Sequence, residues 1–279
     1  KEKKLKITKI KNNWASEVSD LDCANLTSFE RKQIYNLFAD QKLLVFKRQS
    51  LNNTQLKDFC SIFGKVWDNS KEKYSGLQQS ITSGHEDNFV ETVSEDGLLK
   101  SGLIPWHVDL THFPSQLLPN RVLYAVELEG DTAGTTFLDT VQGLRLIDSS
   151  IREFLISATA LCKAPYKTPW DCYVRRPAIQ WHPIHNDYGL VADELFTQWI
   201  EGLTKDTDYK QWFRDNVLNR MHSDETVYTH SWNVGDIIIY DNWSTIHTRE
   251  SFTGKRKLKR VTWDQNWYNK GLFKDATVL

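Results

Sequence analysis

The chain has 279 residues, of which 40% are hydrophobic and 25% are charged, and its net charge is only −1. This composition supports a packed core and argues against a disordered chain, while the balanced charge gives no global attraction to nucleic acid or to an anionic membrane. The four cysteines form no C-x-x-C pair, which argues against a cysteine zinc site and a disulfide scaffold. No signal peptide and no run of about 20 apolar residues is present, so we expect a cytoplasmic protein that does not enter the membrane.

Strand and helix patterns follow one another in the first 64 residues. Residues 5–10 alternate loosely as a strand does, and Thr27-Ser28-Phe29-Glu30 has the form of a capping box that begins a helix. Residues 43–46 form a short apolar run that predicts a buried strand, and apolar spacing over residues 56–63 predicts an amphipathic helix ended by Gly64. Residues 69–105 are polar and weakly periodic, and a connection of this length indicates a functional loop or lid.

The rest of the chain contains more strand patterns than helix patterns. Alternation over residues 122–128 predicts a half-buried strand, residues 236–240 predict a buried strand, and residues 255–263 predict another strand. Residues 144–155 and 193–220 have helical spacing, and the proline-rich residues 163–190 predict loops and short strands that form a second lid. No repeat or linker divides the chain, so residues 1–279 are expected to form a single α+β domain built on a β-sandwich.

A metal site is predicted from Trp106-His107-Val108-Asp109. On a strand, residues i and i+2 face the same side, so His107 and Asp109 can present a nitrogen and a carboxylate oxygen to one ion. The best third ligand is His247, which follows the apolar strand at residues 236–240. Two histidines and one carboxylate that leave open positions are typical of non-haem Fe(II) oxygenases. A similar triplet at residues 85–87 lies in the polar loop, and the remaining histidines are interpreted as structural.

The basic run Lys255-Arg256-Lys257-Leu258-Lys259-Arg260 has two interpretations. An isolated run of this kind usually forms a solvated surface or a nucleic-acid patch. Strand alternation instead sets the three lysines on one face and Arg256, Leu258 and Arg260 on the other. Inward arginines need anionic partners, and a guanidinium binds a carboxylate in a bidentate manner. A dicarboxylate that also chelates a metal would satisfy both the metal site and the arginines.

With these residues together, the chain resembles the TauD/TfdA family of Fe(II)/2-oxoglutarate-dependent dioxygenases over roughly residues 6–267. The segments that carry the resemblance are, in order, Leu26–Val66, Trp106–Asp109, Ala133-Gly134-Thr135-Thr136-Phe137, Arg176–Pro183, and Trp232 through Gly235-Asp236, Asp241-Asn242 and His247 to Arg260-Val261-Thr262. Each segment is modest alone, but five in the expected order are specific.

The resemblance implies roles for individual residues. His107, Asp109 and His247 are similar to the iron ligands, and Thr136 matches the threonine that binds 2-oxoglutarate. Arg256 matches the arginine that pairs with the distal carboxylate of this cofactor. Arg260 matches a second arginine that supports the cofactor or meets an anionic substrate. The short loop after His247 favours Arg260 as the cofactor clamp, whereas the strand match favours Arg256, which we prefer.

The resemblance also implies a double-stranded β-helix, or jelly-roll, core with flanking helices. The implied function is the oxidation of a C–H bond of a small substrate by O₂, through hydroxylation, desaturation or cyclisation, with release of succinate and CO₂. The substrate is expected to be anionic or derived from an amino acid, and a homo-oligomer is compatible with the sequence. The candidate residues for substrate contact are Tyr74, Asn88, Trp170, Arg175 and Arg176. A metal-dependent hydrolase with the same three ligands, a non-catalytic jelly-roll binding protein and a nucleic-acid binder remain as alternatives.

Overall fold

A computed structural model describes residues 4–64, 90–93, 102–114, 120–165, 172–262 and 277–278. Its strands are β1 Lys6–Lys11, β2 Ala15–Ser19, β3 Leu43–Phe46, β4 Val90–Val93, β5 Ile104–His107, β6 Asn120–Glu129, β7 Thr135–Asp139, β8 Thr159–Cys162, β9 Val174–Pro177, β10 Ile179–His182, β11 Asp187–Leu190, β12 Thr197–Ile200, β13 Val227–His230, β14 Ile237–Asp241, β15 Thr245–Arg249, β16 Lys255–Thr262 and β17 Thr277–Val278. Its helices are α1 Ser28–Asp40, α2 Asn53–Cys60, α3 Thr140–Gly143, α4 Ser149–Ser157 and α5 Tyr209–Phe213. A π-helical turn, Arg214–Leu218, continues α5 into a last helical turn, Asn219–Met221.

The strands form one large sheet and three smaller ones. The large sheet has seven strands in the order β1-β2-β3-β14-β6-β16-β4, and a four-stranded sheet has the order β13-β7-β15-β5. A second four-stranded sheet, β12-β8-β9-β17, and the pair β10-β11 complete the described part of the chain. Helices together with sheets that are antiparallel except for the parallel pair β2-β3 confirm the α+β prediction. No helix in the described ranges is long and apolar enough to cross a bilayer.

The central strands of the seven-stranded sheet are buried on both faces. On β14, Ile237 and Ile239 face the core that α1 and α2 cover, whereas Ile238 and Tyr240 face the opposite core. Phe137 of β7 belongs to this opposite core, and its ring centroid lies 5.1 Å from that of Tyr240. The seven-stranded sheet and the sheet containing β7 therefore share one interior, and the inward side chains of β6, β14 and β16 point into it.

Several elements confirm the sequence analysis. The strand at residues 5–10 corresponds to β1, the apolar run at 43–46 is β3, and Thr27 and Glu30 form the expected capping box of α1. Gly64 follows the turn after α2 with φ of +130°, a conformation that favours glycine. Residues 69–89 and 94–101 of the first proposed lid lie outside the described residues. Residues 174–190 of the second form β9, β10 and β11, and residues 166–171 are not described.

Other elements differ from the predictions. The predicted helix 144–155 is α3 followed by α4, since Leu144 caps the end of α3 and α4 begins at Ser149. The predicted helix 193–220 begins only at Tyr209, because residues 197–200 pair with β8 as an edge strand. The strand predicted as half-buried, β6, lies between β14 and β16 and is buried on both faces from Val122 to Ala125. For residues 197–200 and for β6, pairing with neighbouring strands outweighed the local pattern.

Candidate active site

Three predicted metal ligands meet at one point of the shared interior. β15 pairs with β5 so that His247 lies directly opposite His107, and their ring centroids are 4.0 Å apart. The Asp109 carboxylate reaches both rings, with 3.8 Å from Oδ1 to Nε2 of His107 and 3.7 Å from Oδ2 to Nε2 of His247. One ligand atom from each residue lies within 4.8 Å of the others, and all three residues are buried. The structure thus assembles the His–Asp–His set that the sequence predicted.

A hydrogen bond of His107 leaves its Nε2 atom available to an ion, and the His247 imidazole is held neutral by its surroundings. Nδ1 of His107 donates to the carbonyl of Pro105 at 2.8 Å, so the lone pair is at Nε2. This is the arrangement that fixes the tautomer of a metal-binding histidine. Burial, followed by the nearby His107, lowers the pKa of His247 well below its ordinary value. A neutral imidazole is the form that binds a metal.

The Asp109 carboxylate is held by Tyr240 and Arg121, which the sequence analysis missed, and lies beside Arg260, which it had placed on the inward face of its strand. Tyr240 donates its hydroxyl to Oδ2 at 2.6 Å, and Nε of the fully buried Arg121 lies 3.4 Å from the same oxygen. Nη1 of Arg260 is 3.7 Å from Oδ1. Burial opposes ionisation of Asp109, but Arg121, followed by His247 and Arg260, holds its pKa well below the usual range. The carboxylate is therefore charged, and Oδ1, which lies near His107, receives no hydroxyl donor.

The backbone of Asp109 is fixed by one side chain. Oδ1 of Asn242 accepts the Asp109 N–H at 2.9 Å, and Nδ2 of Asn242 donates to the Asp109 carbonyl at 3.0 Å. Asn242 lies in the turn between β14 and β15, and β15 also carries His247. The turn therefore orients Asp109 directly and leads into β15, the strand that carries His247.

The segment after His107 is fastened on a second side by a buried carboxylate. Oδ2 of Asp193 accepts the N–H of Val108 at 3.2 Å and the hydroxyl of Thr111 at 3.0 Å, while Oδ1 accepts N–H groups of Phe196 and Thr197. Burial raises the pKa of Asp193, although those backbone donors oppose the shift. Asp193 thereby ties the residue between two metal ligands to the strand β12.

A buried arginine holds the turn that follows Asp109. Leu110 has φ of +65°, a conformation that is rare for a bulky residue and costs about 1–3 kcal/mol. Arg176 donates from Nε to the Thr111 carbonyl at 2.9 Å and from Nη2 to the Phe113 carbonyl at 2.7 Å. Arg176 is thus engaged inside the protein. Arg175 instead pairs with Glu201 near the surface, and Tyr74, Asn88 and Trp170 lie outside the described residues.

The arginines of β16 point into the shared interior, as the alternation predicted. Arg256 is 5% exposed, and its Nη2 donates to the Thr135 hydroxyl at 2.9 Å, while its guanidinium lies 5.8 Å from the Trp232 ring centroid. Burial, followed by the neighbouring Arg249, lowers the pKa of Arg256 to about 9. Two inward cationic side chains on one strand make this part of the interior suited to anions.

The two threonines of β7 face opposite sides, and Thr136 does not face Arg256. Thr136 exchanges a hydrogen bond of 2.9 Å with Thr229 on the outer side, whereas Thr135 is 2% exposed and accepts hydrogen bonds from both Arg256 and Trp232. Successive side chains of a strand alternate, so only one of the two can reach the interior. The sequence could have indicated Thr135, because Thr135 and Phe137 lie on the same face of the strand and an apolar residue such as Phe137 is expected to face the core.

A second buried cluster contains His182, His185 and Asp241. Nε2 of His182 lies 2.7 Å from Oδ2 of Asp241, and Nδ1 of His182 accepts the N–H groups of Ile184 and His185 at 3.3 and 3.2 Å. Burial, followed by His182, lowers the pKa of His185 to about 3. The sequence analysis interpreted both histidines as structural, and the His182 imidazole is hydrogen-bonded at both ring nitrogens.

Comparison with known proteins places this site in a family. Residues 6–262 match the family model described as "Taurine catabolism dioxygenase TauD, TfdA family". The chain belongs to the TauD/TfdA family. It is therefore an enzyme of the 2-oxoglutarate-dependent dioxygenase class, as the resemblance implied.

Individual relatives are distant but align over most of their length. The chain is 23% identical to a tyrosine isonitrile desaturase from Erwinia amylovora, with 75% of this chain and 72% of that protein covered. It is also 23% identical to an alpha-ketoglutarate-dependent 2,4-dichlorophenoxyacetate dioxygenase from Cupriavidus pinatubonensis, with 89% and 94% covered. The structure of a putative alpha-ketoglutarate-dependent taurine dioxygenase from Burkholderia xenovorans has a TM-score of 0.74 at 17% identity, with 93% of this chain and 89% of that chain covered. This likeness shows that the fold is shared.

Proposed function

We propose that this member of the family uses Fe(II) and 2-oxoglutarate to oxidise a C–H bond of a small carboxylate substrate. The observation that carries the proposal is the buried set of His107, Asp109 and His247 beside the inward arginines of β16. The interior shared by the seven-stranded sheet and the β13-β7-β15-β5 sheet fits a double-stranded β-helix, which we propose as the core architecture.

Iron would be held by Nε2 of His107, Nε2 of His247 and Oδ1 of Asp109. Nitrogen and carboxylate oxygen in this ratio suit Fe(II), and three protein ligands leave positions for a cofactor and O₂. Together, Fe(II) and 2-oxoglutarate would supply O₂ activation for C–H oxidation, with release of succinate and CO₂. Tyr240 and Arg121 hold Oδ2 of Asp109, which favours binding of the ion through Oδ1 alone.

Thr135 and Arg256 are our proposed ligands for the distal carboxylate of 2-oxoglutarate. The Thr135 oxygen accepts two hydrogen bonds, from Nε1 of Trp232 and Nη2 of Arg256, both at 2.9 Å. A hydroxyl has two lone pairs and one proton, so the Thr135 proton is left to donate. A carboxylate beside Arg256 would accept it. This assignment replaces Thr136, whose hydroxyl is on the outer side of β7.

Arg260 is then available to an anionic group of the substrate. It lies beside Asp109, with 3.7 Å from Nη1 to Oδ1, whereas Arg256 contacts Thr135 further along β16. Relatives are named for tyrosine isonitrile, 2,4-dichlorophenoxyacetate and (S)-phenoxypropionate, which suggests an aromatic acid or amino-acid derivative as substrate. We propose that Arg260 binds the acid group, so that hydroxylation or desaturation takes place at a carbon near it.

Spectroscopy and two matched pairs of variants test this proposal. Anaerobic addition of Fe(II) and 2-oxoglutarate to metal-free protein should give the weak visible charge-transfer band of the chelate, and a hydrolase or a non-catalytic binding protein would give none. Thr135→Val should raise the KM for 2-oxoglutarate about tenfold, for about 1.4 kcal/mol of lost hydrogen bonding, whereas Thr136→Val should leave it unchanged. Equal effects of the two threonine variants would contradict the Thr135 assignment.

The arginine roles are separated by a second comparison. Arg256→Gln should weaken 2-oxoglutarate binding, and Arg260→Gln should raise the KM for an aromatic acid substrate while cofactor binding stays near normal. The reverse pattern would move the cofactor role to Arg260. Substrates are found by succinate release from a panel of aromatic acids. The product then gains one oxygen if the substrate is hydroxylated or loses two hydrogens if it is desaturated.

A further inference from the structure

Both ends of the central strand β14 are held by buried His–Asp pairs. His182 donates from Nε2 to Asp241, the last residue of β14, at 2.7 Å. His230 donates from Nε2 to Asp236, the residue before β14, at 3.0 Å. At about 3.3 Å per residue the two pairs are about 16 Å apart. The two histidines are 0% and 2% exposed, and neither belongs to the metal-ligand set.

The His182–Asp241 pair closes the turn that carries Asn242. Oδ1 of Asp241 accepts the N–H of Trp243 at 2.8 Å, and Oδ2 accepts the hydroxyl of Ser244 at 2.8 Å together with His182. With its carboxylate fixed, the turn presents the Asn242 amide to both backbone groups of Asp109. The pair therefore acts on a metal ligand through one intervening side chain.

The His230–Asp236 pair leads to the opposite part of the site. Asp236 accepts from Nε2 of His230, so Nδ1 of His230 accepts the Tyr228 hydroxyl at 2.8 Å, and the tautomer is fixed. The His230 ring packs edge-on against Trp232 with 4.7 Å between centroids. Trp232 in turn donates to Thr135 and lies against Arg256. This pair therefore acts on the two proposed 2-oxoglutarate ligands and not on a metal ligand.

We propose that the two His–Asp pairs are positioning devices for separate halves of the active site. The His182–Asp241 pair orients Asp109 for the metal, and the His230–Asp236 pair orients Thr135 and Arg256 for the cofactor carboxylate. The second half rests on the proposed function. Loss of a group that orients a ligand reduces metal affinity about 10–100-fold in known metal sites.

The test compares the matched variants His182→Phe and His230→Phe in two binding measurements. Mn(II) affinity is measured by calorimetry on metal-free protein, and 2-oxoglutarate affinity on the Mn(II)-saturated protein under anaerobic conditions. We expect His182→Phe to weaken Mn(II) binding at least tenfold and 2-oxoglutarate binding less than threefold. His230→Phe should show the reverse pattern. His182→Gln and His230→Gln, which keep an N–H donor, should recover part of each loss.

Equal losses in both measurements for both variants, or no loss in either, would overturn the proposal, because a general structural role does not distinguish the two ligands. If a Phe variant fails to fold, Asp241→Asn and Asp236→Asn are compared in the same way, with smaller losses expected. If the wild-type protein binds Mn(II) but not 2-oxoglutarate, the proposed function fails. The Mn(II) affinity alone then tests whether the His182–Asp241 pair orients Asp109, and an unchanged Mn(II) affinity in the His182 variant contradicts the inference.

Discussion

Among the described residues, two clusters combine two histidines with one aspartate, and their hydrogen bonds differ. In the cluster of His182, His185 and Asp241, an imidazole donates directly to the carboxylate at 2.7 Å. In the cluster of His107, Asp109 and His247, the corresponding separations are 3.7–3.8 Å. Ligands about 2.1 Å from one ion lie roughly 3 Å apart, so a small contraction around an ion suffices in the second case.

The tautomers explain the difference. The backbone presents a carbonyl to Nδ1 of His107, which sends the lone pair to Nε2. The backbone presents N–H groups to Nδ1 of His182, which forces the proton onto Nε2 and toward Asp241. The same side chain therefore offers a lone pair at Nε2 in His107 and a donor N–H at Nε2 in His182. Composition alone does not identify a metal site, and the groups that contact the far ring nitrogen decide it.

The largest expected effect is on metal binding. The wild-type protein should bind one equivalent of Mn(II), and His107→Ala should reduce the affinity by more than the ~100-fold that loss of an orienting group costs. His185→Ala, the matched variant in the other cluster, should stay within threefold of wild type. Calorimetric titration of metal-free protein measures both values. Two equivalents in the wild type, with one lost in His185→Ala, would show that the second cluster also binds metal.

The next effect is on the stability of the metal-free protein, where the larger loss is expected in the cluster of His182 and not in that of His107. His182→Ala leaves a fully buried Asp241 without its imidazole, whereas Asp109 in His107→Ala keeps Tyr240 and Arg121. Loss of a hydrogen-bond donor from a buried acceptor costs about 1–3 kcal/mol, and more when the acceptor is charged. Both variants lose the same side-chain volume, so we expect His182→Ala to be about 2–3 kcal/mol less stable than His107→Ala. Urea unfolding in the presence of a chelator measures the difference, and equal stabilities would contradict the structural role of His182.

A smaller effect is expected at Asp109. Tyr240→Phe removes the 2.6 Å hydrogen bond to Oδ2 and leaves the ring in place. Because both carboxylate oxygens could then approach the ion, Mn(II) affinity should fall about tenfold, at the lower end of the range for orienting groups. The matched control is Tyr228→Phe, whose hydroxyl contacts His230 and no metal ligand. An unchanged affinity in Tyr240→Phe would mean that Arg121 alone orients the carboxylate.

The sequence predicted the site residues better than their surroundings. His107, Asp109 and His247 could be found because i, i+2 spacing and strand order constrain ligands strongly, and alternation predicted that Arg256 and Arg260 point inward. The sequence analysis assigned the cofactor threonine to Thr136, whereas the structure brings Thr135 into contact with Arg256, because a one-residue shift in a motif reverses the face of a strand. A different kind of information was needed for Arg121, Asn242 and Asp193. Asn242 and Asp193 act across 82–133 residues of sequence, and Arg121 acts from a different strand, through contacts that no local pattern encodes.

The smallest expected effect is a pH dependence confined to the second cluster. Burial lowers the pKa of His185 from 6.5 to about 3, with His182 and Lys42 acting in the same direction and Asp241 opposing them. Below pH 6.5 the unfolded chain binds a proton at this residue that the folded chain does not. The folded state therefore loses stability as the pH falls from 6.5 towards 3, and the contribution is neutral above 6.5.

Replacement by His185→Gln removes this term. When the pH is lowered from 8 to 6, the free energy of unfolding of the variant should rise by about 0.8 kcal/mol relative to that of the wild type. At lower pH this difference should change by up to about 1.36 kcal/mol per pH unit. Urea unfolding at pH 8, 6 and 5 on the metal-free protein measures the change. A wild-type slope that His185→Gln leaves unaltered would mean that His185 is protonated in the folded state. The second cluster would then hold a charged imidazole beside Asp241, and the tautomer contrast between the clusters would apply to His182 alone.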